Sequence, residues 1–287
     1  MKALVLGGAG QVARAVAAST PANHLAIVKN RQDVDITDED ALAAVVESVR
    51  PDWIINGAAY TAVDKAESEA EAARAINDTA VGSMARAASS YGARLLHLST
   101  DFVFDGQSNR AYLPSDPTNP RSVYAATKLG GERQALAQGD AIVLRTAWVY
   151  ASTGRNFVLT MLRLMREKPE IRVVADQIGA PTWATGIAHA IWGLIGVSAL
   201  PGVYHWTDLG IATWYDFAVA IQDEALTHGL LSRAIPIVPI ATAEYPTPAM
   251  RPAFSVLNTE ATRAVLKVPA HHWRHQLRVM LDELRAK

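Results

Sequence analysis

A short apolar strand that runs straight into a glycine-rich turn and then a helix opens this chain. Lys2–Leu6 is the apolar run, and Gly7-Gly8-Ala9-Gly10-Gln11-Val12-Ala13 follows it before residues with helical spacing. In this context Gly7 suits the tight turn, Gly10 lets the backbone approach a pyrophosphate, and Ala13 lies where the helix packs on the strand. The free N–H groups at the start of the helix favour phosphate. The segment predicts a dinucleotide site; the alternative is an ordinary βα turn without a ligand.

Apolar strands alternate with helical segments through the first 150 residues. The predicted strands are Lys2–Leu6, Leu25–Val28, Trp53–Ile55, Arg94–Leu98 and Ala141–Trp148. The predicted helices are Ala41–Val49, capped by Thr37 or Asp38, then Glu67–Tyr91, and a helix that Ser122 caps. Near-continuous apolar strands are typical of a parallel sheet covered on both faces. The pattern therefore predicts an α/β fold with a Rossmann-type doubly wound parallel sheet.

The pattern changes after Tyr150, where helices and short strands no longer alternate regularly. Helices are predicted at Asn156–Glu167, near Trp183–Leu194, and at Thr213–His228 and His271–Ala286, with strands at Ile171–Ala175 and Gly202–Trp206. We predict a dinucleotide-binding domain at 1–150, to which 183–206 returns. Residues 151–182 and 207–287 are predicted to form a smaller C-terminal substrate-binding domain.

Composition narrows the classes of function. The chain has 287 residues, a formal net charge of −1 and no cysteine, which excludes disulfides and thiolate catalysis. A charge so near zero does not indicate nucleic acid or an anionic membrane as a partner. The N-terminal apolar run is too short for a signal peptide or a membrane span, and we expect a cytoplasmic protein.

Tyr124 and Lys128 are the strongest candidates for acid–base chemistry. A spacing of four on a helix places both side chains on one face, with Cβ atoms roughly 5–6 Å apart. A phenol titrates near pH ~10, and a neighbouring ammonium favours the phenolate. We therefore expect Lys128 to lower the pKa of Tyr124, so that the pair can move a proton to or from a carbonyl oxygen.

Hydroxyl groups follow the predicted strand Arg94–Leu98. Ser99, Thr100 and Asp101 lie at its carboxyl end, where a hydroxyl can hydrogen-bond a substrate carbonyl. A Ser/Thr turn cap is the alternative interpretation. His97 lies within the strand and is interpreted as a core histidine with its hydrogen bonds satisfied.

A cationic segment ends the second predicted strand. Lys29-Asn30-Arg31 stands where an acidic ribose ligand is expected, so the two cations favour a 2′-phosphate and hence NADP. Solvated surface charges are the alternative. Asp35 and Ile36 follow and are placed to cover an adenine.

Three histidines near the C-terminus raise the question of a metal. His271 and His275 share the spacing of two ligands on one helix face, with His272 between them. No acidic residue completes a zinc-protease pattern, and the segment is amphipathic, so we predict no metal site there.

Four motifs together resemble the extended short-chain dehydrogenase/reductase superfamily: Gly7-x-x-Gly10-x-x-Ala13, Asn56-Gly-Ala-Ala59, Ser99-Thr-Asp101 and Tyr124-x-x-x-Lys128. Within it, longer stretches are similar to the dTDP-4-dehydrorhamnose reductase family and cover nearly the whole chain. These stretches are Gly10–Val12, Ala58–Glu67, Leu98–Gly106, Leu144–Tyr150, Asn156–Phe157, Val174–Thr182, Arg251–Pro252 and Asn258–Thr259.

This resemblance implies reduction of a dTDP-4-ketosugar with NADPH or NADH. The implied catalytic residues are Thr100, Tyr124, Lys128 and Asp101. The expected cofactor residues are Gly7, Gly10, Gln11, Val12, Lys29, Asn30, Arg31, Asp35, Ile36, Ala58, Ala59, Tyr60, Ser99, Tyr124 and Lys128. The expected substrate residues are Thr100, Asp101, Phe102, Trp148, Asn156, Gln177 and Arg251.

The chain departs from the family pattern at three places, and one of them, Lys29 with Arg31, leaves the choice between NADPH and NADH open. Ala13 replaces a glycine, which the fold tolerates. Ala15 stands where some members carry a glutamate for Mg²⁺ at a dimer interface, so Mg²⁺ use stays open and we expect a monomer or weak homodimer. A reductase of different stereochemistry and a non-enzymatic regulatory subunit on the same fold stay open as alternatives.

Overall fold

A parallel sheet of six strands forms the centre of the protein in a computed structural model that describes residues 1–266, 269 and 271–286. The strands in chain order are β1 (Lys2–Leu6), β2 (Leu25–Lys29), β3 (Trp53–Asn56), β4 (Arg94–Thr100), β5 (Ala141–Thr146), β6 (Val149–Tyr150), β7 (Ile171–Val174), β8 (Ile178–Gly179), β9 (Thr182–Trp183), β10 (Gly202–His205), β11 (Ala212–Thr213) and β12 (Ile237–Ile240). The large sheet has the order β10-β5-β4-β3-β1-β2.

The α-helices pack around this sheet, except that α7, α9 and α11 pack with β7 outside it and form a second lobe. They are α1 (Gln11–Ala18), α2 (Glu39–Val49), α3 (Val63–Ala66), α4 (Ala70–Arg74), α5 (Ala80–Ser90), α6 (Val123–Leu136), α7 (Phe157–Glu167), α8 (Ala184–Gly196), α9 (Trp214–Thr227), α10 (Glu260–Leu266) and α11 (Trp273–Arg285). In the described part of the chain, none of the helices combines the length and the apolar character needed to span a membrane.

Alternation along the strands explains why the sheet is covered on both faces. In β1, Val5 packs in a cluster with α1 and α8, whereas Leu4 packs in another with α2 and α5. The order of the strands reverses between β1 and β3, because β2 lies on the far side of β1 while β4 lies on the far side of β3. Such a switch point opens a crevice at the carboxyl ends of the strands. The predicted doubly wound parallel sheet is confirmed.

A third apolar cluster lies outside the sheet. Buried side chains of α7, α9 and α11, including Phe217 and Leu277, pack there with β7. β12 pairs with β7 in parallel, and β10 pairs with β5 at the edge of the large sheet. The division of the chain into two domains stays a prediction.

Two predicted elements are wrong in their extent. The single helix predicted over Glu67–Tyr91 is divided into α4, a π-helical turn at Ala75–Thr79 and α5. At that turn the Asn77 side chain bonds the backbone of Tyr60 and the hydroxyl of Thr127, which tertiary contacts alone can specify. The strand predicted over Ala141–Trp148 ends at Thr146, because Trp148 takes a left-handed backbone conformation with φ 48°.

Candidate active site

Helix α6 carries the predicted acid–base pair. Its first turn is capped by Ser122, whose hydroxyl accepts the N–H of Ala125 at 3.2 Å. Lys128 is 3% exposed and donates from Nζ to the carbonyl of Leu98 at 2.6 Å. The Lys128 Nζ atom is therefore hydrogen-bonded to strand β4, which ends at Thr100.

The pKa of Tyr124 is shifted upward from its usual value, whereas the sequence led us to expect a downward shift. Burial raises its pKa to about 12; a hydrogen bond with Thr100 opposes this, and the charge of Asp101 adds to it. The expected lowering of the Tyr124 pKa is therefore wrong in direction, because desolvation dominates the shift. Tyr124 is a protonated phenol at neutral pH, the form that a proton donor needs.

Thr100 and Asp101 lie beside this phenol. The hydroxyl of Thr100 accepts the N–H of Phe102 at 3.2 Å and donates to Asp101 Oδ1 at 3.0 Å. Thr100 is thus a turn cap as well as a partner of Tyr124, and its hydrogen bond to a substrate carbonyl stays a prediction. Burial raises the pKa of Asp101 to about 6. The rings of Phe102 and Tyr124 pack edge to face, with centroids 5.7 Å apart.

Lys128 is flanked by a buried ion pair that sequence reasoning missed. Glu132, one turn further along α6, binds Arg145 of β5 through two bonds of 2.9 and 2.7 Å. Ser99, a predicted cofactor residue, donates its hydroxyl to Glu132. Burial lowers the pKa of Lys128 to about 8, and the Glu132 charge opposes that shift.

A cavity of about 300 Å³ opens at the switch point. Its lining residues are Gly7, Ala9, Gly10, Lys29, Asn30, Arg31, Val34, Asp35, Ile36, Thr37, Gly57, Ala58, Ala59, Thr61 and Ile76. Nine predicted cofactor residues are among them. Gly7 has φ +82°, and a Cβ there would lie 2.5 Å from the Ala58 nitrogen. This bare backbone cradle fits the pyrophosphate of a dinucleotide.

Six predicted cofactor residues are not part of this lining: Gln11, Val12, Tyr60, Ser99, Tyr124 and Lys128. Gln11 accepts a bond from the Asn156 side chain at 2.8 Å, and Val12 packs against an apolar cluster beneath the sheet. The hydroxyl of Tyr60 donates to Glu69 at 2.5 Å. Asn156 itself caps α7, since its side chain accepts the N–H of Leu159.

A larger, mostly apolar cavity of about 540 Å³ lies in the second lobe. It is lined by Phe157, Thr160, Met161, Leu164, Lys168, Glu170, Ile171, Arg172, Val173, Val174, Gln177, Trp214, Tyr245, Thr247 and Arg251. Trp148 stacks on Trp214 with ring centroids 3.4 Å apart. The indole N–H of Trp214 in turn donates to Gln177 at 3.2 Å. Trp148 and Gln177 therefore both contact Trp214, which lines this cavity.

An ion pair beside these cavities joins two residues that are distant in the chain. Arg251 donates to both oxygens of Asp64 at 3.0 and 2.8 Å. Asp64 lies three residues after Thr61, which lines the first cavity, while Arg251 lines the second. The sequence offered no signal for Asp64, because its partner is 187 positions away.

Two of the three histidines near the C-terminus lie close together. The rings of His271 and His275 are 5.3 Å apart. Within residues 1–266, 269 and 271–286, the structure holds no group of three or more His, Cys, Asp or Glu side chains suited to a metal ion.

Comparison with known proteins identifies the family. The sequence model described as the RmlD substrate binding domain matches residues 1–286. A curated dTDP-4-dehydrorhamnose reductase of Burkholderia thailandensis is 42% identical over 296 positions, covering 99% of each chain. The crystal structure of a dTDP-4-dehydrorhamnose reductase from Clostridium acetobutylicum is 36% identical, with a TM-score of 0.93 over 99% of this chain and 100% of that one.

A second solved structure adds a ligand. The dTDP-4-dehydrorhamnose reductase of Bacillus anthracis, described in complex with NADP, is 32% identical, with a TM-score of 0.93 over 98% of this chain and 99% of that one. Similarity of this extent in sequence and fold, along nearly the whole length, leaves one assignment: this chain belongs to the dTDP-4-dehydrorhamnose reductase family.

Proposed function

We propose that this protein reduces the C4 ketone of dTDP-4-dehydro-6-deoxy-L-mannose to dTDP-L-rhamnose, with NADPH or NADH as the reductant. The observation that carries the proposal is the convergence of Thr100, Tyr124 and Asp101 at the sheet edge where the glycine cradle of Gly7 also opens. A reductase needs a proton donor beside a dinucleotide site, and the groups at this edge support both assignments.

The chain's own residues carry the proton chemistry. When bound, the reduced nicotinamide supplies a hydride to C4. Tyr124 gives its phenolic proton to the ketone oxygen, a contribution typically worth ~10²–10⁴-fold in rate. The Thr100 hydroxyl, which donates to Asp101 in the structure, turns to donate to that oxygen as negative charge develops. The ketone gains one hydride and one proton and becomes the alcohol.

Lys128 supports the phenol from the same helix face. We propose that Lys128 binds the nicotinamide ribose. Its Nζ atom carries a second proton close to the reacting groups. Its bond to the Leu98 carbonyl holds the Lys128 Nζ atom against strand β4.

The cofactor lies along the first cavity in this proposal. Gly7, Gly10, Gln11 and Val12 hold the pyrophosphate at the start of α1. Asp35 and Ile36 cover the adenine, while Ala58, Ala59, Tyr60 and Ser99 border the ribose and nicotinamide. Lys29, Asn30 and Arg31 line the cavity at its outer end, and their two cations favour the 2′-phosphate of NADPH.

The second cavity takes the dTDP portion of the substrate. Arg251 can bind the diphosphate through its planar guanidinium, and the stacked Trp148 and Trp214 offer an aromatic face to a base or sugar. Phe102, Asn156 and Gln177 complete the proposed substrate contacts.

We further propose a cytoplasmic protein that is a monomer or weak homodimer. Its partner is a small dTDP-sugar, which a nearly neutral chain can bind through local cations. Mg²⁺ has no part in the chemistry proposed here.

The decisive experiment supplies enzymatically prepared dTDP-4-dehydrorhamnose and follows NADPH oxidation. Stoichiometric oxidation with dTDP-L-rhamnose as product, identified by NMR, is expected. Formation of the C4 epimer would assign a reductase of different stereochemistry. Failure to oxidise NADPH, with cofactor binding intact, would favour a non-enzymatic role.

A further inference from the structure

His97 lies directly behind Lys128 and has no role in the proposed chemistry. It is fully buried in β4, with Nε2 3.3 Å from Lys128 Nζ and Nδ1 2.9 Å from Asn56 Nδ2. Asn56 ends the neighbouring strand β3. The three side chains form a line from the switch point to the amine on α6.

The orientation of the Asn56 amide can be inferred from its other bond. Asn56 Oδ1 accepts the N–H of Ala58 at 3.0 Å, and a backbone N–H can only donate. The NH₂ group of Asn56 therefore faces His97 and donates to Nδ1. An imidazole that accepts at Nδ1 carries its proton at Nε2. Turning the amide over would place two donors against each other at Ala58.

This tautomer presents an N–H to Lys128. A neutral amine can accept that hydrogen through its lone pair while it donates to the Leu98 carbonyl. An ammonium has no lone pair, so the same N–H opposes it. Burial lowers the pKa of His97 well below its usual value, and the Lys128 charge adds to that shift, so His97 stays neutral.

We propose that His97, held as the Nε2–H tautomer by Asn56, is a positioning residue that donates to the Lys128 nitrogen and favours the amine over the ammonium. Lys128 then releases its proton far more readily than an exposed lysine, while the Tyr124 phenol keeps its own. This inference rests on the proposed function for the role of Lys128, but the tautomer itself does not.

Several other titratable groups surround helix α6 and act on the same equilibrium. Besides His97 they are Tyr124 and Glu132 on α6, Asp78 against Gly130, Asp101 after β4, Glu67 at the first turn of α6, and Arg145, which neutralises Glu132. Because the carboxylates favour the ammonium, His97 opposes them.

The first test reads the tautomer directly. The full-length protein, labelled with ¹⁵N-histidine, is studied by NMR with and without NADP⁺ between pH 6 and 9, and His97→Gln assigns the signals. A protonated Nε2 and an unprotonated Nδ1 are expected throughout. The Nδ1–H tautomer or an imidazolium would overturn the proposal whether or not the enzyme turns over.

The second test inverts the tautomer. In Asn56→Asp the carboxylate still accepts from Ala58 but now requires Nδ1–H, so Nε2 turns a lone pair to Lys128 and stabilises the ammonium. The basic limb of kcat/KM for the ketosugar is expected to move up by about one pH unit, a tenfold change in acid dissociation. Lower activity with an unmoved limb would reduce His97 to a packing residue.

A matched control distinguishes the effect of the His97 tautomer from the effect of an added negative charge. Asn77→Asp introduces the same substitution beside α6, where Asn77 bonds Thr127 and not His97. The control is expected to move the limb by less than half as much as Asn56→Asp. Equal movement in both variants would assign the effect to added negative charge and contradict the proposal.

Discussion

The two cavities of this protein are built in different ways. The first is formed largely by backbone and small residues that directly follow β1, β2 and β3, such as Gly7 and Ala58. The second is formed by side chains from α7, β7, α9 and the segment that ends at Arg251. A site made of backbone at strand ends is local in sequence, whereas a site made of side chains from distant segments exists only after folding.

The difference also determines how each cavity tolerates substitution. A Cβ at Gly7 meets backbone atoms of Gly57 and Ala58 that cannot move away. The second cavity depends on flexible side chains and one ion pair, Arg251 with Asp64, so it can adjust. We therefore expect substitutions in the first cavity to weaken cofactor binding strongly, and substitutions in the second to weaken substrate binding moderately. Substitution of Tyr124 is expected to change neither affinity.

The largest expected effect is on chemistry alone. Tyr124→Phe removes the proton donor, so kcat is expected to fall by ~10²–10⁴-fold. Binding of NADPH and of dTDP, followed by calorimetry, is expected to be unchanged because both cavities remain. A near-normal kcat would remove Tyr124 from the acid role.

The next largest effect breaks the first cavity. Gly7→Ala combines a left-handed backbone (φ +82°) with a clash at the Ala58 nitrogen, and NADPH affinity is expected to fall about a hundredfold. Gly92→Ala is the control, because Gly92 also has a positive φ, +69°, but open space around it. If both variants bind NADPH equally well, the cradle is not at Gly7.

A smaller effect tests the second cavity. Arg251→Ala is expected to raise KM for the dTDP-sugar about tenfold to fiftyfold with little change in kcat, since a bond to a charged group is worth about 1.5–3 kcal/mol. Initial-rate kinetics at saturating NADPH measure it.

Asp64→Asn separates binding from lobe connection. If Arg251 binds the diphosphate, weakening its partner leaves KM unchanged or lower. A KM that rises as far as in Arg251→Ala would assign the pair to holding the lobes together.

The smallest effect concerns the outer end of the first cavity. Arg31→Ala is expected to weaken NADPH about threefold to tenfold and leave NADH unaltered, because exposed ion pairs contribute little. The ratio of kcat/KM for the two cofactors measures it. An equal loss for NADH would place the 2′-phosphate away from Arg31.

The acid–base residues show how far sequence spacing reaches. Tyr124 and Lys128 are four residues apart on α6, a spacing that places both on one face of the helix. Their pKa values could not be predicted, because burial by neighbours from β4 and the following turn dominates them. The same holds for Glu132 and Arg145, since the sequence does not reveal that these two charges meet in the interior.

Local sequence by itself determined the alternating fold and the glycine cradle, since strand periodicity and backbone freedom depend on neighbouring residues. It also determined which residues stand at the carboxyl ends of β1, β3 and β4. Only the tertiary structure decided the π-helical turn at Asn77, the pairing of Arg251 with Asp64 and the tautomer of His97. Each of these depends on hydrogen bonds between segments distant in the chain, whose strength is set by burial rather than by composition.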